Sequence, residues 1–181
     1  MTNFTDAELR ARIATQKRKH QCRNAYQRFL ADQRPDAFVT LALNSGPKQL
    51  NHLTEKLKKW AFLMDRALNN NPRRLQRLPS ERRLNGWFVA EKQKTNGHLH
   101  GLINLPEHYL SGEWRFLQLQ TVLDQQWCQC VPSGDVKIEP IFDAHGVADY
   151  CLKEAFHGDD FFGSLVELAD FWPAPKPQPS A

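Results

Sequence analysis

Apolar residues recur at intervals of three and four along Leu50–Leu68, where Leu50, Leu53, Leu57, Trp60, Ala61, Met64 and Leu68 share one stripe. That spacing predicts an amphipathic helix, since 3.6 residues per turn bring such positions to one face. A longer helix is predicted over Asp6–Gln33, rich in Ala, Arg, Lys, Gln and Leu, with Thr5 or Asp6 placed to cap it. Its apolar positions, Leu9, Ile13, Tyr26, Phe29 and Leu30, leave a long polar middle. Between these helices Ala37–Asn44 is apolar and partly β-branched, the pattern of a central strand. Arg34-Pro35-Asp36 stops the first helix, and Ser45-Gly46-Pro47 turns the chain after the strand. Further on, Ser111-Gly112-Glu113-Trp114 opens a third helix with Phe116, Leu119, Leu123 and Trp127 on one side. Val136–Phe142 alternates as a strand, and its Pro140 calls for an edge position or a bulge. Val147–Phe156 reads as a short last helix.

The pattern is densest in Leu84–Leu105, two apolar, β-rich runs on either side of Asn96-Gly97. Asn-Gly between such runs predicts a hairpin. Side chains alternate along a strand, so His98 and His100 share a face while Leu99 points into the core. A two-residue turn at Asn96-Gly97 would set Thr95 opposite His98 and Gln93 opposite His100. A turn at Thr95-Asn96 would set Glu91 opposite His100. Both registers place Glu91 on the histidine face and Lys92 on the other. Together the elements run α, β, α, hairpin, α, β, α, which predicts an α+β fold. Its largely antiparallel central sheet would carry helices on one face and a metal and tyrosine site on the other. The organisation expected is a basic helical arm over residues 1–36, a core over 37–158, and an acidic, then Pro-rich tail over 159–181. The tail's Pro-rich end, from Pro173 onward, offers no core residues and should be extended or disordered.

Charge changes the picture. The chain holds 24 Lys and Arg against 20 Asp and Glu. The basic residues crowd into the stretch before Leu84, whereas acidic ones outnumber them afterwards. Such asymmetry points to a polyanionic partner bound through the first half. Lys17, Arg18 and Lys19 on the first helix, and Arg73, Arg74 and Arg77 in the basic loop before the hairpin, are the candidate phosphate contacts. No apolar run approaches the ~18 residues of a membrane span, and the polar N-terminus lacks a secretory signal. Cys22, Cys128, Cys130 and Cys151 show no Cys-x2-Cys spacing, so thiols in a cytoplasmic protein are expected.

Two imidazoles and a carboxylate on one sheet face make a donor set for a divalent cation, with room left for water and substrate. Glu91, His98 and His100 are those donors, for Mg²⁺ or Mn²⁺, and the two imidazoles favour Mn²⁺ over an all-oxygen site. Gln93, on the same face, and Thr40 are candidates to support the ligands from behind. Tyr150 and Lys153 stand three apart and so project from one side of the last helix. Tyr-x-x-Lys alone is common. Its weight here comes from following a strand that follows the His-x-His hairpin.

Taken as a set, Phe38-Val39-Thr40-Leu41-Ala42-Leu43-Asn44, Glu91 before His98-Leu99-His100, and Tyr150-Cys151-Leu152-Lys153 resemble the HUH endonucleases. More narrowly, they resemble the one-tyrosine replication initiators (Rep proteins) of rolling-circle plasmids and phages. The resemblance covers about Ala37 to Phe156. It implies an RNA-recognition-like palm, a metal held by Glu91, His98 and His100, and nicking of single-stranded origin DNA by Tyr150. The product would be a covalent 5′-phosphotyrosine, with Lys153 stabilising phenolate or phosphate charge. Ala42 departs from the second Thr that the family's first motif often shows. No Gly-x-x-x-x-Gly-Lys-[Ser/Thr] segment is present, so a separate host helicase is implied. The same chemistry would serve a transposase or a mobilisation relaxase, although relaxases usually carry the tyrosine near the N-terminus. A reading of another class is a non-catalytic nucleic-acid-binding module, which needs exposed sheet aromatics; Phe38, Trp87 and Phe88 are the candidates.

Overall fold

A computed structural model describes residues 5–44, 49–70, 75, 78–91, 96–109, 115–156 and 165–172. Helix α1, Asp6–Asp32, starts at a capping box: Thr5 Oγ1 accepts the Glu8 N–H while Glu8 accepts the Thr5 N–H. Strand β1 (Ala37–Ala42), helix α2 (Leu50–Leu68) and strands β2 (Asn85–Glu91) and β3 (His98–Asn104) follow. Helix α3 (Arg115–Cys128), strand β4 (Asp135–Pro140), helix α4 (Ala144–Ala155) and strand β5 (Leu165–Glu167) complete the order. The five strands form one antiparallel sheet in the order β4-β1-β3-β2-β5. Pro140 thus lies in an edge strand, where the lack of an N–H costs no ladder bond to a further neighbour.

Alternation along the strands feeds two apolar clusters. On one face Val39, Leu41, Phe88, Ala90, Leu99 and Ile103 meet Leu53, Leu57, Trp60 and Met64 of α2 and Leu119, Leu123 and Trp127 of α3. On the other, Phe38, Trp87, Val89 and Leu102 meet Leu30 of α1 and Ala148, Cys151 and Leu152 of α4. The α+β class and the antiparallel sheet are those predicted, but helices cover both faces and not one. The cause is the composition of the central strands. Phe38, Trp87 and Leu102 make the second face apolar as well, and it too requires cover.

Neither expected hairpin register forms. Glu91 pairs with His98 and Val89 with His100. Asn96-Gly97 does not supply the turn, since the Gly97 carbonyl accepts the Leu43 N–H at 3.2 Å and prolongs the β1–β3 ladder. Packing sets the register instead. Gly101 lies under the Phe88 ring, where an added Cβ would stand 2.2 Å from a ring carbon, so these two positions must oppose each other. Both the expected and the observed registers have the same parity, and Glu91 therefore keeps the histidine face.

The acidic stretch after α4 also departs from expectation. Leu165–Glu167 pairs with β2, and Leu168, opening a 3₁₀ turn to Phe171, is fully buried in the main core. Three residues are too few to show alternation in sequence, whereas Trp87-Phe88-Val89 on β2 gains backbone partners from them. The Pro-rich end lies outside the described residues.

Helix α2 carries one acid into this core. Asp65 is fully buried; its Oδ1 accepts the Leu84 N–H at 2.7 Å, and its Oδ2 has no partner among the described residues. Burial, offset in part by the Leu84 N–H and the Arg83 charge, pushes its pKa up to about 6 from 3.8. The folded chain then holds a proton that the unfolded chain has lost, so this group favours folding below its ordinary pKa and ceases to do so as pH rises through about 6. Asp65→Asn is expected to abolish that decline, up to about 3 kcal/mol at 1.36 kcal/mol per pKa unit. Urea unfolding at about pH 4 and about pH 7 reads it; an undiminished decline in the variant would assign the effect to other groups. No helix among the described residues is long and apolar enough to cross a membrane.

Candidate metal centre and its tyrosine

Glu91 ends β2 and His98 begins β3, directly across the ladder, with His100 two residues on and on the same face. Glu91 Oε2 lies 2.7 Å from His98 Nε2 and 2.6 Å from His100 Nε2. One donor atom from each residue falls within 4.8 Å of the other two, which lets the three share a single ion. Burial alone would raise the Glu91 carboxyl, but hydrogen bonds and charge from His100 and then His98 bring it below its ordinary value. An ionised carboxylate facing two ring nitrogens is the form that binds a cation.

Both imidazoles are held from behind. His98 Nδ1 lies 3.0 Å from the Asn96 carbonyl, and His100 Nδ1 lies 3.1 Å from Thr40 Oγ1. A carbonyl can only accept, which puts a proton on His98 Nδ1; the Thr40 hydroxyl can accept from His100 Nδ1 or donate to it. With a metal bound, a neutral ring protonated on Nδ1 would offer its Nε2 lone pair to the ion. The brace behind His98 is longer. Asn96 Nδ2 donates to Asn44 Oδ1 at 3.4 Å, and Asn44 Nδ2 donates to Asp135 Oδ2. Asn44 sits at φ 51°, a left-handed conformation that asparagine tolerates better than most residues.

Tyr150 reaches this cluster from α4. Its ring lies edge-on to His100, with centroids 5.4 Å apart, and edge-on to Phe38 at 5.8 Å, and it stays 54% exposed. Helix α4 is fixed from both ends of its first half. Asp143 Oδ1 accepts the Gly146 N–H at 3.0 Å, Arg23 of α1 pairs with Asp149 at 2.8 Å, and Gln27 donates to the His145 carbonyl. The other two tyrosines are elsewhere: Tyr109 packs on the main core, and Tyr26 on α1 packs into the second cluster. Cys151, next to Tyr150, is no rival nucleophile, because burial and then the Glu91 charge push its thiol up to about 12.

The structure thus brings Glu91, His98, His100, Thr40 and Tyr150 together. Lys153 is exposed one turn further along α4. Lys17 and Arg18 are exposed on α1 and Lys19 is half-buried there. Arg73, Arg74, Arg77 and Gln93 lie outside the described residues. Phe38 and Trp87 are each only 8% exposed and Phe88 is fully buried, so these three offer no open stacking platform of the kind a non-catalytic module needs. Asn44 was not singled out as a support from sequence, and Arg23, which the sequence groups with Lys17, Arg18 and Lys19 as a phosphate-contacting arm, pairs instead with Asp149. An Asn closing a strand is a usable signal for the first; an ion pair spanning 126 positions leaves none for the second. Comparison with family models, curated proteins and solved structures found no match for this chain.

Proposed function

We propose that the chain is a metal-dependent enzyme that nicks and rejoins single-stranded DNA at a specific site, opening rolling-circle replication of a plasmid or phage. One observation supports this reading above the others: a half-exposed tyrosine packs directly on an imidazole of a Glu-His-His cluster. A structural tyrosine would be expected inside a core, and a surface tyrosine away from one. A divalent cation, Mn²⁺ or Mg²⁺, held by Glu91, His98 and His100 would act as a Lewis acid toward a phosphate oxygen.

The chain's own groups do the rest. The Tyr150 oxygen attacks phosphorus; the Tyr–O–P bond forms as the P–O3′ bond breaks, leaving a 5′-phosphotyrosine and a free 3′-OH. The phenolic proton is lost and the departing 3′ oxygen gains one. Lys153, on the same helix, offers a cation to the charge that develops on the phosphate. Because the phosphoester bond is exchanged and not hydrolysed, the 3′-OH can attack in reverse and reseal the strand. A separate helicase and a cytoplasmic setting complete the proposal, the latter in keeping with four free cysteines. The test is cleavage of end-labelled single-stranded DNA of mixed sequence with Mn²⁺ against EDTA. Fragments ending in 3′-OH are expected with the metal only; equal cleavage in EDTA would refute the metal's part.

DNA would be held through phosphate by the exposed first half of α1. Replacing Lys17, Arg18 and Lys19 by glutamine is expected to weaken binding of all sequences alike. The salt slope should fall by about one for each phosphate that is no longer neutralised. Affinity unchanged at each salt concentration would return those residues to the role of a solvated helix face.

A further inference from the structure

Phe38 belongs to β1 and opposes Leu102 on one side and Glu139 on the other. Its side chain shares a sheet face with Thr40 and is 8% exposed. Its ring stacks on His100, with centroids 5.4 Å apart and planes at 17°. It also takes the edge of Tyr150 at 5.8 Å and 89°. His100 and Tyr150 touch each other as well, at 5.4 Å and 73°. The three rings therefore form a closed triangle. Two of its members carry chemistry in the function proposed above, and the third carries none: phenylalanine has no atom that binds metal or moves a proton. What it can supply is geometry.

That geometry has two parts. Thr40 Oγ1 and Glu91 Oε2 meet the two ring nitrogens of His100 at 3.1 and 2.6 Å, contacts that still allow the ring to tilt out of its plane. Phe38, lying nearly parallel to the ring, removes that freedom and keeps Nε2 directed at Glu91. Tyr150 is the less constrained partner, being half-exposed on a helix surface. The same Phe38 ring backs it, so metal ligand and nucleophile lean on one wall of the sheet. Aromatic rings prefer the offset and edge-to-face arrangements seen here, each worth a modest amount beyond burial.

We propose that Phe38 is the positioning residue that sets Tyr150 relative to His100, so that a phosphate on the metal lies in line with the tyrosine oxygen. The inference rests on the nicking function proposed above. It assigns Phe38 no contact with DNA and no part in holding the ion.

The experiment compares wild type with Phe38→Leu, which keeps the apolar volume but loses the ring, and with Phe38→Tyr, which keeps the ring. Two readouts are taken. The first is the single-turnover rate of covalent adduct formation with single-stranded DNA and Mn²⁺, beside DNA affinity. The second is the position of the Tyr150 ring resonances by NMR in the metal-free, DNA-free protein. Phe38→Leu is expected to slow adduct formation by roughly 10²-fold, the size of loss that a misplacement of about 1 Å produces, with DNA affinity unchanged. Its Tyr150 resonances should move toward those of a free tyrosine as the ring-current field disappears. Phe38→Tyr should restore both rate and shifts. A leucine variant that forms adduct at the wild-type rate would overturn the positioning role and leave the nicking function standing. Wild type that forms no adduct would overturn the function and the positioning role together, while the resonances alone still report whether Phe38 orients Tyr150. Should Phe38→Leu fail to fold, Phe38→Met is read in its place by the same two criteria.

Discussion

Replacing Tyr150 by phenylalanine is expected to eliminate both nicking and the covalent protein–DNA adduct while DNA binding persists. The change removes one oxygen from a side chain that is already 54% exposed, so little stability is at stake. Its ring contacts with Phe38 and His100 remain available to phenylalanine. What disappears is the proposed nucleophile. Cys151 is held protonated by burial, and Tyr26 and Tyr109 belong to packed clusters. The loss should exceed about 10³-fold, since residual cleavage would have to come from water without an activated base. Adduct gels with labelled DNA measure it, alongside a binding isotherm. Adduct formed by the phenylalanine variant would move the nucleophile to Tyr26 or Tyr109.

The second large effect concerns the cation. His98→Ala/His100→Ala removes two of three converging donors and leaves Glu91 without the groups that lower its pKa. Affinity for Mn²⁺ is expected to fall by more than about 100-fold, beyond what disturbing the residues behind a metal ligand costs. Titration calorimetry or the spectrum of free Mn²⁺ reads the change directly, with no DNA present. Metal-dependent cleavage should vanish with it. The fold should survive, because Leu99 between the two histidines is fully buried and carries the strand's packing against α2 and α3. Undiminished Mn²⁺ affinity in the double variant would place the ion elsewhere.

How much of this was legible in the sequence depends on what each feature rests on. The face shared by Glu91, His98 and His100 rests on parity along two strands, and parity survives any shift of register by two. It was therefore readable although the register was not. Register came from Phe88 resting on Gly101, a contact between two residues that sequence periodicity treats as unrelated. Helix α2 was readable to the residue because its apolar stripe is complete, from Leu50 to Leu68. The cover of the second face was missed because α1 turns only part of its length inward. Its polar middle resembles a free helix until Arg23 and Gln27 are seen to grip α4. Strand β5 was missed because Leu165–Glu167 is too short to carry a period. At the site, the grouping of Glu91, His98 and His100 follows from residue type and spacing, whereas Tyr150 was singled out through the resemblance. Their supports, Phe38 and Asn44, act through a stacked ring and a chain of amides, and such contacts exist only once the strands are side by side.

The most direct test of the whole account is to find the phosphotyrosine. Wild-type protein is incubated with Mn²⁺ and a pool of single-stranded DNA of mixed sequence labelled at the 3′ end, the end that a 5′-phosphotyrosine retains. The adduct is purified under denaturing conditions, digested with protease and nuclease, and its peptides are weighed. A nucleotide mass on the peptide containing Tyr150, absent when EDTA replaces Mn²⁺, is the predicted result. No labelled adduct with either Mn²⁺ or Mg²⁺, or a nucleotide on a peptide lacking Tyr150, would contradict it.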